Sequence, residues 1–168
     1  IENTVRAFIV DSSVSSAGLV RLYSESRSII TARSTAVSFA LAASSTTAIS
    51  LSGGGAESTN VVLPSTHSFI ESSFVRSSGD LDLNAKDTST ITARVLAAAM
   101  TATAGQNAAG VAIGASLSTN LVGYDAIFGG SLGPTASNTD VAGQLQAYIK
   151  NSKIEVTGDL NLTSQATS

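Results

Sequence analysis

The chain has 168 residues, with 9 Lys and Arg against 12 Asp and Glu and a formal net charge of −3. That balance argues against nucleic acid as a partner, because phosphate binding needs clustered cations, and the lack of cysteine excludes a disulfide scaffold, a thiolate metal site and a thiol nucleophile. Hydrophobic residues make up 43% and aromatics 5%, enough for one domain with a buried core, but no run of about 18 apolar residues could span a bilayer. Only 12% of residues are charged, too few to solvate helical surfaces. The Ser, Thr and Asn that remain suit the exposed faces of strands. The first residue is Ile1 and no signal peptide precedes it, which reads as a processed or excised chain.

Residues 7–33 read AFIVDSSVSSAGLVRLYSESRSIITAR. A short strand is expected around Val14, a turn at Gly18, and then a strand in which Val20, Leu22 and Ser24 alternate with Leu19, Arg21 and Tyr23. The stretch Thr31 to Ala43 holds Thr35, Val37, Ser38 and Phe39, which favour a strand over a helix. Gly53-Gly54-Gly55 reads as a flexible turn, with no following helix or Lys that would make it a phosphate loop. A short insertion with a turn is expected around Pro64, which places the single histidine, His67, in that turn as an ordinary surface residue.

From residue 68 the pattern returns as SFIESSFVRSSGDLDLNAKDTSTITAR, sharing Phe-Ile, the Gly, the middle Leu and Ile-Thr-Ala-Arg with the first copy. Here Val75 and Gly79 stand where Val14 and Gly18 stood, and Leu81, Leu83 and Ala85 alternate with Asp80, Asp82 and Asn84. Residues 93–104 are Ala-rich and could be helical on propensity alone, but the matching 31–43 segment argues for a strand. From Val111 to Ser118 large and small residues alternate, and the Gly, Ala and Ser face would let another layer approach closely. The segment 124–140 is the best loop in the chain, rich in Gly, Ser, Pro and Asn, with a second glycine pair at Gly129-Gly130. A third copy begins at Ala147, with Ile154, Gly158, Leu160 and Leu162 in the expected places.

Counted from Asn3, Asn60 and Asn120 the period is roughly 60 residues. The expectation is an all-β fold, a β-solenoid or stacked β-sheet array, in a single repeat domain over 1–168. Units start near 3, 60 and 120, the last incomplete, with a loop insertion at 124–140. Strand edges would be left open at both ends, to be covered by more of the same polypeptide or by a neighbouring copy.

The pattern A-[FY]-I-x-x-S-x-V-x-x-x-G-D-L-x-L-x-A, then I-T-A, a Gly/Ala-rich alternating segment and N-x-V, resembles the repeats of very large bacterial surface proteins. These are the giant exoprotein, adhesin and haemagglutinin-like chains built of tandem β-strand repeats, and the resemblance covers nearly the whole chain. It implies secretion, a place at the cell surface or in extracellular matrix, and a role in adhesion or filament architecture. It brings no catalytic residues, and the 124–140 insertion departs from it.

No enzyme chemistry, cofactor or metal site is expected. With one histidine and no local Ser and Asp partners, a triad has no support. Asp80 and Asp82 would share a strand face about 6.6 Å apart, but the first copy has Leu19 and Arg21 there and the third Asp159 and Asn161, so a Ca²⁺ pair does not recur. Asn161-Leu-Thr163 fits a glycosylation acceptor but sits in a strand. The function expected is an extracellular structural module of a fibre, filament or surface layer, assembling through stacked β edges with neighbouring repeats or copies of itself. The alternative is an adhesin segment binding glycan or a host surface through the 124–140 loop, with Tyr124, Asp125 and Phe128 as candidate contacts.

Overall fold

Alternation of apolar and polar side chains runs through nearly every segment, and each such segment is extended. The computed structural model describes residues 1–123 and 143–167, together with the backbone of two short strands between them. The strands are β1 (Glu2–Val10), β2 (Ser13–Ser16), β3 (Val20–Ser26), β4 (Ile29–Ala43), β5 (Thr47–Glu71), β6 (Phe74–Ser77) and β7 (Leu81–Thr88). They continue as β8 (Thr90–Ala104), β9 (Asn107–Val122), β10 (Asp125–Ile127), β11 (Thr135–Ser137), β12 (Gln144–Lys150), β13 (Lys153–Val156) and β14 (Leu160–Thr167). The described residues contain no helix. The protein is all-β.

The pairing is parallel throughout, apart from the small antiparallel hairpin of β10 and β11. Three ladders take their strands in the same order: β1-β5-β12, β2-β6-β13 and β3-β7-β14. Two further ladders, β4-β8 and β5-β9, extend the first two tiers. Register brings like side chains over one another: Phe8 with Phe69 and Tyr148, Val14 with Val75 and Ile154, Leu22 with Leu83 and Leu162. Partners lie 61 residues apart between the first two tiers, 60 in the β5–β9 ladder, and 79 apart between the second and third. The segment between Val122 and Gln144 accounts for the longer step.

The tiers have two ends of different character. At one end β1, β2 and β3 and their partners enclose the core of Leu22, Ile70, Val75, Leu81 and Leu83. Ile70, Val75 and Leu81 have no exposed surface, since the middle tier is covered from both sides. Away from this end the interior narrows. Ser24 and Ser68 share a hydrogen bond of 2.8 Å, and Ser68 donates to the Asn84 carbonyl at 2.6 Å. Beyond them β4 and β8 pack on the first half of β5 and on β9 as a thin two-layer blade. Its interior is Ala, Ser and Gly: Ser38 and Ser52 hydrogen-bond across it at 2.6 Å, and a Cβ on Gly54 would lie 2.8 Å from the Ala98 carbonyl oxygen. Only small residues allow sheets this close.

The unbroken 25 residues of β5 correct three expectations. Gly53-Gly54-Gly55 is not a turn but strand inside the blade, where Gly54 admits the facing backbone. Pro64 makes no turn or insertion either: it pairs with Asn3 on one side, and on the other faces the break between Val122 and Gln144, so its missing N–H interrupts no ladder. His67 accordingly lies in β5, half-buried, between Arg6 and Gln146 in register. Asn60 and Asn120 are in register, but Asn3 aligns with Pro64 and not with them.

Residues 93–104 are strand, within β8, because burial alternates there despite the alanine content. The turn glycines also have another cause than φ. A Cβ on Gly79 would come within 2.9 Å of the Leu19 nitrogen in the turn of the adjacent tier, and one on Gly158 would strike Asp80. The positive φ angles fall at the opposite corner, at Asp11 (46°), Ser72 (49°) and Asn151 (50°), polar types that tolerate the left-handed region.

The packing predicts a sharp contrast between register partners. Leu83→Ala, at 1% exposure, should cost about 2–5 kcal/mol, whereas Leu162→Ala, at 42% exposure, should cost less than about 1.5 kcal/mol; urea unfolding midpoints at unchanged slope measure both.

Candidate interaction surface

Because side chains alternate, each strand that fills the core also builds an outer column running from tier to tier. On the β1 side Phe8, Phe69 and Tyr148 stack at centroid distances of 5.5 and 5.0 Å with rings nearly parallel. On the β3 side Arg21 pairs with Asp82 at 3.0 Å, and Asn161 donates to the other Asp82 oxygen at 3.0 Å. Three pairs of charges placed in register are opposite: Lys86 with Glu25, Lys150 with Glu71, and Arg76 with Glu155. Like charges directly opposed would repel.

A serine column fixes the corner between β1 and β2. The Oγ of Ser12, Ser73 and Ser152 each donate to the carbonyl two residues earlier. The N–H of Ser12 donates to Ser73 Oγ at 3.1 Å, and that of Ser73 to Ser152 Oγ at 3.0 Å. Ser73 therefore receives from one tier and gives to the next.

This geometry accounts for the acidic pair. Asp82 is engaged by Asn161 and Arg21, and those contacts hold its carboxyl below the usual range. Asp80 lies in the turn before β7, where its Oδ1 accepts the Asp159 N–H at 2.9 Å. Both carboxylates bridge tiers. Among the described residues no group of three His, Asp or Glu side chains could hold a metal ion. His67 sits 3.2 Å from Ser65 Oγ, its pKa lowered by burial and by Arg6.

Of the candidate contacts in the insertion, Tyr124 and Phe128 lie outside the described residues. Asp125 opens β10, opposite Ser137, with only its backbone described. The root of the insertion is well formed: Gly143 donates to the Gly123 carbonyl at 2.8 Å, and Gly123 takes φ +78°. Beside it lies a groove of about 210 Å³ lined mainly by apolar groups, including Pro64, Val122 and Leu145. A second, polar groove of about 320 Å³ runs along the Arg21–Asp82–Asn161 column past Tyr23.

Sequence reasoning missed the outer faces of the blade. Val37, Phe39 and Leu41 on β4 are 63–70% exposed, and Ile49 and Leu51 on β5 are at least 70% exposed. The signal was there in the alternation of Val111 to Ser118, where the small face marks the interior and the large face must then point outward.

No family model, curated protein or solved structure matches the chain.

The ion-pair columns predict the pH response. Glu25, Asp82 and Glu155 titrate lower when folded than at their ordinary values of 4.5, 3.8 and 4.5. Their stabilisation is complete above those values and is lost as pH falls through the folded ones. Lys150, raised by Glu71 above 10.5, and Tyr23, raised by Glu25 above 10.0, contribute below those values and lose their contribution as pH rises through the folded ones. Melting temperature measured from pH 2 to 12 should therefore be highest between about 6.5 and 10, with Asp82→Asn flattening the acid limb.

Proposed function

We propose that the chain is an extracellular structural repeat module, a β-solenoid of roughly 60-residue turns that extends by stacking β edges into a fibre, filament or surface layer. The observation that carries this reading is that the two ends of the stack are complementary. The tier of β12, β13 and β14 ends with the Ser152 N–H, and the tier of β1, β2 and β3 begins with the Ser12 Oγ, the donor and acceptor that meet within the chain. Placing that first tier below the last sets Lys150 against Val10, Glu155 against Ser15, Asn161 against Arg21 and Gln165 against Glu25. No like charges meet. The added tier comes from the same polypeptide or from another copy. The resemblance to tandem repeats of giant bacterial surface proteins points the same way.

The open side of β14 is the place to test it. Leu81 donates to the Asp159 carbonyl, so the amides of Asn161, Thr163 and Gln165 face β7 while those of Leu162 and Ser164 face outward. Light scattering and electron microscopy of the chain should show growing fibres with a 4.7–4.9 Å axial spacing in diffraction. Ser164→Pro removes one outward N–H and should cut assembly at least tenfold while leaving the far-ultraviolet spectrum intact. Fibres that grow at the parental rate would overturn edge stacking.

A second reading is favoured by the apolar groove at the root of the insertion: an adhesin segment that takes glycan or a host surface through 124–140. The Gly123–Gly143 contact lets the insertion be replaced by a two-residue link without disturbing the strands on either side. That exchange should leave the melting temperature within a few degrees and abolish retention on a glycan array; retention unchanged by the exchange rules this reading out.

A further inference from the structure

We infer that the blade is a lateral self-association surface, in which the β4/β8 face of one copy packs on the β5/β9 face of a second copy. It adds a sideways contact to end-to-end stacking. Its geometry is independent of that reading, and its strength rests on it.

The two faces are related by the contacts inside the blade. Ser38 meets Ser52, and Gly110 and Gly114 meet Thr101 and Ala97. Each outward residue on one face is therefore backed by a known outward residue on the other: Val37 by Gly53, Leu96 by Ala115, Ala98 by Ile113. Translating one blade onto the next brings these same pairs face to face. Large meets small at those three positions, while the same relation sets Phe39 against Leu51, Leu41 against Ile49 and Met100 against Val111, so that half of the contact buries apolar area without interlocking. A tilt between the blades leaves room for the thicker core end.

Charge points to the same arrangement. Arg33 and Arg94 are in register on the β4/β8 face, exposed and without an acidic partner among the described residues. Directly opposed like charges are unfavourable. Glu57, exposed on the opposite face, stands at the same height as Arg33, so the neighbouring copy supplies the carboxylate that the arginine pair lacks.

Area sets the strength. Two tiers, each about 4.8 Å deep with about ten residues of blade at 3.3 Å, give roughly 300 Å² per face. A stable interface buries about 800 Å² per partner. The contact between two single chains is weak, and about five stacked tiers make it stable. Edge stacking and lateral packing reinforce one another, as repeated weak contacts do when tethered.

The chain contains no cysteine, so disulfide trapping reads the contact directly. Val37 and Gly53 point out of opposite faces, which rules out a bond within one chain. Val37→Cys and Gly53→Cys chains, mixed under mild oxidation, should give mixed dimers at least fivefold above either homodimer. Arg33→Glu in the Val37→Cys chain should reduce that yield several-fold, and Glu57→Arg in the Gly53→Cys chain should restore it. Homodimers of Val37→Cys in equal or greater yield would mean the faces pair like with like and would overturn the proposal. So would loss of the mixed dimer with co-flotation on phosphatidylcholine vesicles, which would assign the faces to lipid. In the Ser164→Pro background the preference for mixed dimers should persist at lower yield. Fibres without the preference would sink lateral packing alone, and the preference without fibres would sink edge stacking alone.

Discussion

Parallel, in-register pairing at the strand spacing of about 4.8 Å is the constraint on which everything else here depends. It sets each side chain directly over its counterpart in the next tier, so every choice of residue is made against a similar neighbour. Apolar residues in such columns form a core with little need for aromatic bulk, as Leu22, Leu83 and Leu162 do. Charged residues are favoured where they alternate in sign, as Glu71 and Lys150 do, and the Arg33 and Arg94 pair is an exception. Small residues are forced wherever backbones converge, at Gly79 and Gly158 between tiers and at Gly54 between layers.

The same constraint explains why polar atoms that elsewhere suggest chemistry are here structural. Asp80 accepts from Asp159 in the next tier, and Asp82 accepts from Arg21 on one side and Asn161 on the other. Asp87 is 4% exposed, and its carboxylate accepts from Ser89 Oγ. Ser12, Ser73 and Ser152 tie a left-handed corner to the corner beneath it. Buried polar groups that are satisfied in this way specify register, because a slip by one residue would break every column together.

The cross-section divides the work. The end enclosed by β1, β2 and β3 holds branched apolar side chains and carries stability, while the blade holds Ala, Ser and Gly and turns its large residues outward. Such a blade gains little from its own interior, since deleting methylenes from a core removes both transfer free energy and contacts. Its large outer residues gain burial only when another surface covers them.

Much of this was legible from residue order. The alternation around Leu81 and Leu160, the recurrence of Ile-Thr-Ala-Arg and the spacing of Gly18, Gly79 and Gly158 were enough to expect an all-β chain of stacked strands. They sufficed because side-chain period and turn residues are local properties. What residue order could not reveal was how far a strand runs. The glycine triplet and Pro64 read as breaks, yet β5 passes through both, since a Gly is favoured where a facing sheet is close and a Pro is harmless where the next tier is interrupted. Only the tertiary structure decided which alternating face is covered, because burial depends on a partner distant in the chain. That is why the apolar outer faces of the blade, and the arginine pair beside them, came to light only once the layers were in place.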